Sequence, residues 1–392
     1  MRLDSVVTEH KVADAVVGSR SADKKRYAIR ILTSIFGCLI VAPITEADDR
    51  IVVRGNYYRE DSTRVLQPMI SFRKDLAKKQ LEVGVDYLLD SITSASIASG
   101  AAALGGDKLF TELRHETTGI INGRFGAWTA GTAFRYSTET DYVSRSMRVF
   151  GSRELFQRMI LIQLAYGYSN DSVYRIQANI NNPVQWKSTG DSNWLHTHYL
   201  ALSYNQIISP RLQGGLSLEG IDATGPQDNP YRSVRNGTPE RHPLHRQRMS
   251  GSVWATWRVP HTPLTFEPHL RIGGDDWGIQ AQSIDMRIHL RMFRNWRIRG
   301  RYRYYSQTQA KFWRDDGRYP EEALFASDDP KMNNFHSHTP GLELTWELNG
   351  IARFPGLRWL RGAWIQANYN HVFQTSRFGN ARLGSLSFSV PF

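Results

Sequence analysis

The sequence predicts an all-β protein: a single transmembrane, antiparallel, up-and-down β-barrel of about 16 strands, with 14 as the alternative count. Three observations predict it. Apolar and polar residues alternate through most of the chain beyond residue 47. The connections between the alternating segments sort into a long set and a short set. The chain ends on a strand with apolar residues at every second position back from Phe392.

The alternation is clearest between Ile284 and Tyr304. Ile284, Met286, Ile288, Leu290 and Met292 are apolar, and Asp285, Arg287, His289 and Arg291 lie between them. After a Phe-Arg-Asn turn, Ile298, Tyr302 and Tyr304 alternate with Arg297, Arg299, Arg301 and Arg303. A period of two is the signature of a strand with one apolar and one polar face. Such a hairpin belongs to a soluble sheet or to a membrane barrel, and the rest of the chain has to choose. Mean hydropathy is −0.45, which does not decide, because a membrane barrel faces lipid with only every other residue.

Residues 1–47 read as a leader and 48–392 as the barrel. Within the leader, 24–47 has the form of an export signal: Lys24, Lys25, Arg26 and Arg30, then an apolar run from Ile31 to Ile44, then small residues at Thr45 and Ala47. The run is short for a spanning helix, which needs about 20 residues. Residues 1–23 show no apolar periodicity and receive no functional reading. Cys38 is the only cysteine, so cleavage after Ala47 would leave no thiolate, disulfide or cysteine nucleophile.

Strands are expected near 51–60, 63–74, 80–90, 109–121, 124–138, 142–151, 156–168, 194–208, 211–222, 244–258, 264–273, 279–292, 296–308, 336–349, 361–373 and 381–392. The first two are the least secure, and merging them or dropping a pair gives 14 strands. Long connections at 91–108, 169–193, 223–243 and 309–335 alternate with a second set at 75–79, 122–123, 152–155, 209–210, 259–263, 293–295 and 350–360, all short but the last. Short turns at one end and long loops at the other are the mark of an outer-membrane barrel. The parity assigned to lipid carries Trp128, Phe134, Tyr136, Tyr166, Tyr168, Tyr204, Tyr302, Tyr304 and Trp346, as interfacial aromatic belts require. Aromatics also favour strands for their own sake.

The terminal strand places Leu386, Phe388, Val390 and Phe392 on one parity. It resembles the C-terminal signal of bacterial outer-membrane barrels that the barrel-assembly machinery reads. Asn56-Tyr57-Tyr58-Arg59-Glu60, Ser62-Thr63-Arg64-Val65 and Gln67-Pro68 resemble the opening of a family of predicted bacterial outer-membrane proteins, described only as a domain of unknown function. Asp90-Ser91-Ile92-Thr93-Ser94-Ala95-Ser96 resembles a second block of that family. The resemblance implies a barrel in the bacterial outer membrane and brings no substrate or catalytic residues.

The candidate chemistry lies on the polar parity. An arginine facing lipid costs about 2–4 kcal/mol near the midplane, so Arg287, His289, Arg291, Arg297, Arg299, Arg301 and Arg303 are expected in the lumen. Glu343 and Glu347 on the next strand are expected to pair with some of them. Glu82 and Asp86 on the third strand, and Glu112 and Glu116 on the fourth, should lie about half a turn away and form an acidic lining. The expected function is a pore for small polar, anionic solutes. The alternatives are a closed barrel serving as a structural or assembly platform, its lumen filled by ion pairs, and a membrane-embedded hydrolase. No G-x-S-x-G, H-E-x-x-H or P-loop motif is present, so no enzyme is expected. The histidine pairs His196/His198, His242/His245 and His336/His338 read as dispersed rim residues rather than metal ligands, and no cofactor or metal is expected. The net charge of +12 comes without an aromatic-interleaved nucleic-acid module. The expected partners are outer-membrane lipid and lipopolysaccharide, the barrel-assembly machinery and small polar or anionic solutes.

Overall fold

The computed structural model describes residues 49–60, 63–76, 80–95, 109–178, 186–228, 234, 239–377 and 379–392. Residues 1–47, expected to be a leader, lie outside the described residues, Cys38 among them. The alternating segments become sixteen strands. They are β1 (Arg50–Arg59), β2 (Thr63–Leu76), β3 (Leu81–Ala95), β4 (Leu109–Phe125), β5 (Trp128–Thr138) and β6 (Tyr142–Leu155). β7 (Ile160–Ala178), β8 (Trp186–Ser209), β9 (Leu212–Thr224), β10 (His245–Arg258) and β11 (Leu264–Asp275) follow. β12 (Gln280–Met292), β13 (Trp296–Gln307), β14 (Phe335–Glu347), β15 (Trp364–Gln374) and β16 (Ala381–Pro391) complete the set.

Each strand pairs with the next, and β1 pairs with β16, so the sheet closes and leaves no free edge. The count is 16 rather than 14. β1 and β2 are separate strands in unbroken register from Arg50↔Arg73 to Arg59↔Arg64.

Alternation sets the two faces. Ile284, Met286, Ile288 and Tyr302 are exposed on the outside, while Ser283 and Asp285 between them are buried on the inside. The same outward apolar band runs through Ile51, Val53 and Tyr57 on β1 and Leu216 and Leu218 on β9. A continuous apolar exterior around a polar interior is the inverse of a water-soluble sheet and the arrangement of a barrel in lipid. Trp128, Phe134, Tyr136 and Tyr166 are exposed on this outer face. Trp296 and Trp346 stack there with centroids 5.3 Å apart.

The connections fall at two ends. At the turn end, where β1 begins beside the end of β16, most connections are short, such as the two-residue turn at 126–127, where Gly126 takes a φ of +64°. The connection between β14 and β15 is longer and packs 3-10 turns around Leu348, Leu360 and Ala363. The loop end carries the long connections 225–244 and 308–334. One expected loop differs. Much of 169–193 continues as strand, because β7 and β8 go on pairing through Ser169↔Thr197 and Asp171↔Leu195 up to Ala178↔Trp186. Outside the membrane both faces of a hairpin can be polar, so the loss of alternation there does not end the ladder.

The two long connections fold onto each other as a cap. Arg241 and Ala326 exchange backbone hydrogen bonds of 2.9 Å in both directions. Trp277, Ile279, Ala310, Trp313 and Met332 form a small apolar core beneath them. Tyr319 donates to the carbonyls of Phe312 and Ser327, and burial pushes its phenol up, which keeps it a donor.

Candidate functional site in the arginine-lined lumen

β12 and β13 are direct neighbours, so their polar parities make one inner surface. The register sets Asp285 against Arg303, Arg287 against Arg301, His289 against Arg299 and Arg291 against Arg297. Like charges directly opposite each other are destabilising. The carboxylates therefore sit between them. Arg301 Nε donates to Asp285 Oδ2 at 3.0 Å, and Arg287 Nη2 reaches the same oxygen at 3.4 Å. Arg287 also donates to Glu267 on β11 at 2.5 Å, and His289 Nε2 lies 2.9 Å from that carboxylate. Arg299 pairs with Glu343, and Arg297 lies 3.3 Å from Glu347, so the partners expected on β14 are in place. Exposure rises toward the turn end, from 27% at Arg301 to 66% at Arg291.

At the loop end the ladder opens into a cavity of about 520 Å³. Of the ladder, only Arg303 lines it. The other cations are Arg246 and Arg248 on β10, Arg271 on β11 and Lys331 of the cap. Tyr58, Val372, Ala381 and Leu383 from β1, β15 and β16 add an apolar patch, and Glu219, Asp275, Gln282, Gln307 and Gln374 are among the polar residues of the remaining wall. Arg246 is taken up by Asp275, at 2.8 Å, and Arg271 by Glu219, at 2.6 Å. Arg248 and Arg303 have no ion pair among the described residues. Arg248 Nε lacks any hydrogen-bond partner, and Arg303 lies over the Tyr305 ring at 5.6 Å. The sequence reading missed Arg246, Arg248 and Arg271. The available signal was their polar parity on β10 and β11, where Arg246, Arg248 and Arg271 do not form the unbroken alternating run that marks β13.

The expected acidic residues lie on the inner face of β3 and β4, about half a turn from β12 and β13 around the barrel. They do not form a wall of one sign. Asp86 is held by Arg73 at 2.7 Å, and Glu82 accepts from Asn122 at 2.8 Å. Glu116 lies 3.8 Å from Arg135 and 4.0 Å from Arg114. Glu112 is buried, with carboxylate oxygens of Glu139 and Asp141 within 4.8 Å, an oxygen-rich set suited to a hard cation such as calcium. Beside these residues a buried chain of polar groups crosses β1 to β4. Asn56 donates to Gln67 at 2.8 Å, Gln67 to Asp90 at 2.5 Å, and Arg114 pairs with Asp90 at 2.5 Å. Three of these four residues, Asn56, Gln67 and Asp90, come from the sequence blocks that resemble a family. Their inward parity gives the blocks a physical meaning.

The histidine pairs do not converge. His196 and His198 lie on the outer face, 2.9 Å from the Tyr168 hydroxyl and 2.8 Å from that of Tyr166. His338 takes the same position beside Tyr302 at 2.7 Å. His242 is buried in the cap, whereas His245 opens β10 beside Asp222 at 3.0 Å. Leu386, Phe388, Val390 and Phe392 all point outward, and Phe392 stacks on Phe72 with centroids 5.4 Å apart.

No curated protein matches the sequence. Among solved structures the chain is similar to CdiB from Acinetobacter baumannii, with a TM-score of 0.51 at 6% identity, over 88% of this chain and 60% of that one. It is also similar to a bacterial polysaccharide outer membrane secretin, with a TM-score of 0.49 at 8% identity, over 89% of this chain and 99% of the other. OccD3 (OpdP) of Pseudomonas aeruginosa has a TM-score of 0.48 at 9% identity, over 88% and 91% of the two chains. A family model matches residues 105–357, more than half of the chain and beyond both sequence blocks quoted above. The chain is an outer-membrane-type β-barrel and belongs to the family described as protein of unknown function (DUF3570).

Proposed function

We propose that the protein is a channel of the bacterial outer membrane for small anionic solutes. The loop end faces the exterior, and the ladder descends from its cavity toward the periplasm. The observation that carries the reading is the pair Arg248 and Arg303. Both face one cavity and neither has an ion pair among the described residues, whereas the carboxylates that line the same cavity, Glu219 and Asp275, are already held by Arg271 and Arg246. A guanidinium presents a planar fork of donors that matches a carboxylate or phosphate. An organic anion would meet the guanidinium donors of Arg248 and Arg303 and, elsewhere in the cavity, the apolar patch of Tyr58, Val372 and Leu383 beside polar Ser337, Thr339 and Gln374. Below the cavity the arginines from Arg301 to Arg291 are increasingly exposed, which provides successive weak contacts rather than one deep well. Arg287, His289, Arg297 and Arg299 belong to this lining, with Glu343 and Glu347 holding its geometry. Glu82, Asp86, Glu112 and Glu116 line the other side.

The experiment is planar-bilayer recording under a salt gradient, with the wild type and R248Q/R303Q. The wild type is expected to conduct with an anion preference, and the double variant to lose most of that preference while conductance persists. A wild-type barrel that does not conduct refutes the reading.

The runner-up, a closed structural barrel, draws support from the buried Asn56–Gln67–Asp90–Arg114 chain, which fills one side of the lumen. A hydrolase is less supported. The Ser–His contact in the cap, His242 Nε2 to Ser327 Oγ at 2.8 Å, is fully buried at Ser327. That hydroxyl is already engaged by Glu240 and the Asp329 backbone N–H, so it pins two loops together.

A further inference from the structure

Charged side chains on the outer face of the barrel are few, and three of them stand side by side. The register opposes Arg59 on β1 to Arg64 on β2, and the same Arg59 to Arg382 on β16. On the far side of Arg382 stands His371 of β15. All four have the outward parity at the loop end, and the three arginines are exposed. They lie one outward position beyond Leu66, Tyr57, Gly384 and Tyr369, at the rim of the apolar band. Tyr57 and Tyr369 are exposed aromatics of the kind that mark a membrane interface.

In-register like charges on neighbouring strands destabilise a sheet, and adjacent strands lie only about 4.8 Å apart. Within the lumen a carboxylate can stand between such arginines, as Asp285 does between Arg287 and Arg301. Here no ion pair joins any of the three arginines to a carboxylate of the described residues. Among the described outward-facing strand residues the one carboxylate is Asp222 on β9, and it is bound to His245. The row therefore concentrates at least three positive charges at the lipid boundary. Guanidinium groups held at this spacing suit phosphate oxygens, which accept their paired N–H donors.

We infer that the row of Arg59, Arg64 and Arg382, flanked by His371, is a binding site for the phosphate groups of a phosphorylated glycolipid in the outer leaflet. The acyl chains of that lipid lie along the apolar face of β1, β2 and β16, and its headgroup phosphates bridge the arginines. The site is independent of the lumen and of the channel reading, and rests only on the placement of the barrel in an outer membrane. It fixes the height of the barrel in the membrane where the first and last strands join.

The test uses the full-length folded barrel in detergent, with bisphosphorylated lipid A as the probe and native mass spectrometry as the readout. R59Q/R64Q/R382Q is expected to weaken lipid A binding at least about ten-fold, which corresponds to about 1.4 kcal/mol or more. Lipid A stripped of both phosphates is expected to bind the wild type as weakly as lipid A binds the variant. R145Q, which removes an outward arginine near the same end of β6, is expected to change binding less than about two-fold. R382Q alone keeps the test open should the triple variant fold poorly, with an expected loss of about three-fold. Equal binding by R382Q and the wild type overturns the proposal, as does equal binding of phosphorylated and dephosphorylated lipid. Inorganic phosphate that displaces lipid A at matching concentration also overturns it, because the site would then read free anions rather than a membrane lipid.

Discussion

Asp285→Asn separates an ion-paired ladder from a merely crowded one. Asp285 is buried, accepts from Arg301 at 3.0 and 3.1 Å and from Arg287 at 3.4 Å, and stands beside the position where those two arginines oppose each other. Asparagine keeps the shape and removes the charge. Two guanidiniums about 5 Å apart repel by about 3 kcal/mol at an effective dielectric of about 20, and by about 0.8 kcal/mol in bulk water. Their side chains are 28% and 27% exposed, which places them between those limits. The expected loss of stability is about 1–3 kcal/mol at low salt. The assay is urea unfolding of the barrel refolded into zwitterionic vesicles, followed by tryptophan fluorescence. Raising salt from about 0.1 to 1 M shortens the screening length from about 10 to 3 Å, so most of the loss is expected to vanish. An unchanged urea midpoint at low salt, or a loss that salt does not restore, refutes the electrostatic account of the ladder.

Tyr319→Phe removes the hydroxyl that ties the Phe312 and Ser327 carbonyls of the cap. We expect a barrel of near wild-type stability with faster proteolysis within 308–334 and larger open-channel current noise, both measurable on one preparation. Phe392→Ala removes an outward ring that stacks on Phe72, with the Lys74 ammonium 5.0 Å from its centroid, but touches none of the β1–β16 backbone pairing. In cells the amount of assembled barrel should fall several-fold. In vitro the refolded protein should unfold within about 1 kcal/mol of the wild type. A large stability loss would make Phe392 a structural residue rather than an assembly signal.

Much of the architecture was legible in the sequence, because each strand is governed by a local rule. A residue that faces lipid must be apolar and its neighbour need not be, so parity, strand count and the sorting of connections can all be read along the chain. The inward direction of Arg287 to Arg303 and their pairing with Glu343 and Glu347 follow from the same rule. Strand ends were less legible at β7 and β8, since beyond the membrane the ladder continues without alternation. The acidic lining was read as one wall because Arg73 and Arg135, which sit on other strands, could not be placed against Asp86 and Glu116 without the register.

What the sequence by itself determined is the face each side chain takes. Which side chains meet across the barrel was decided by the tertiary structure. Arg248 and Arg303 share a cavity although 55 residues separate them, and Arg59 stands beside Arg382 only because β1 closes on β16. The physical reason is that alternation is a property of one strand, whereas the local charge balance depends on register and closure. Those depend on every strand at once.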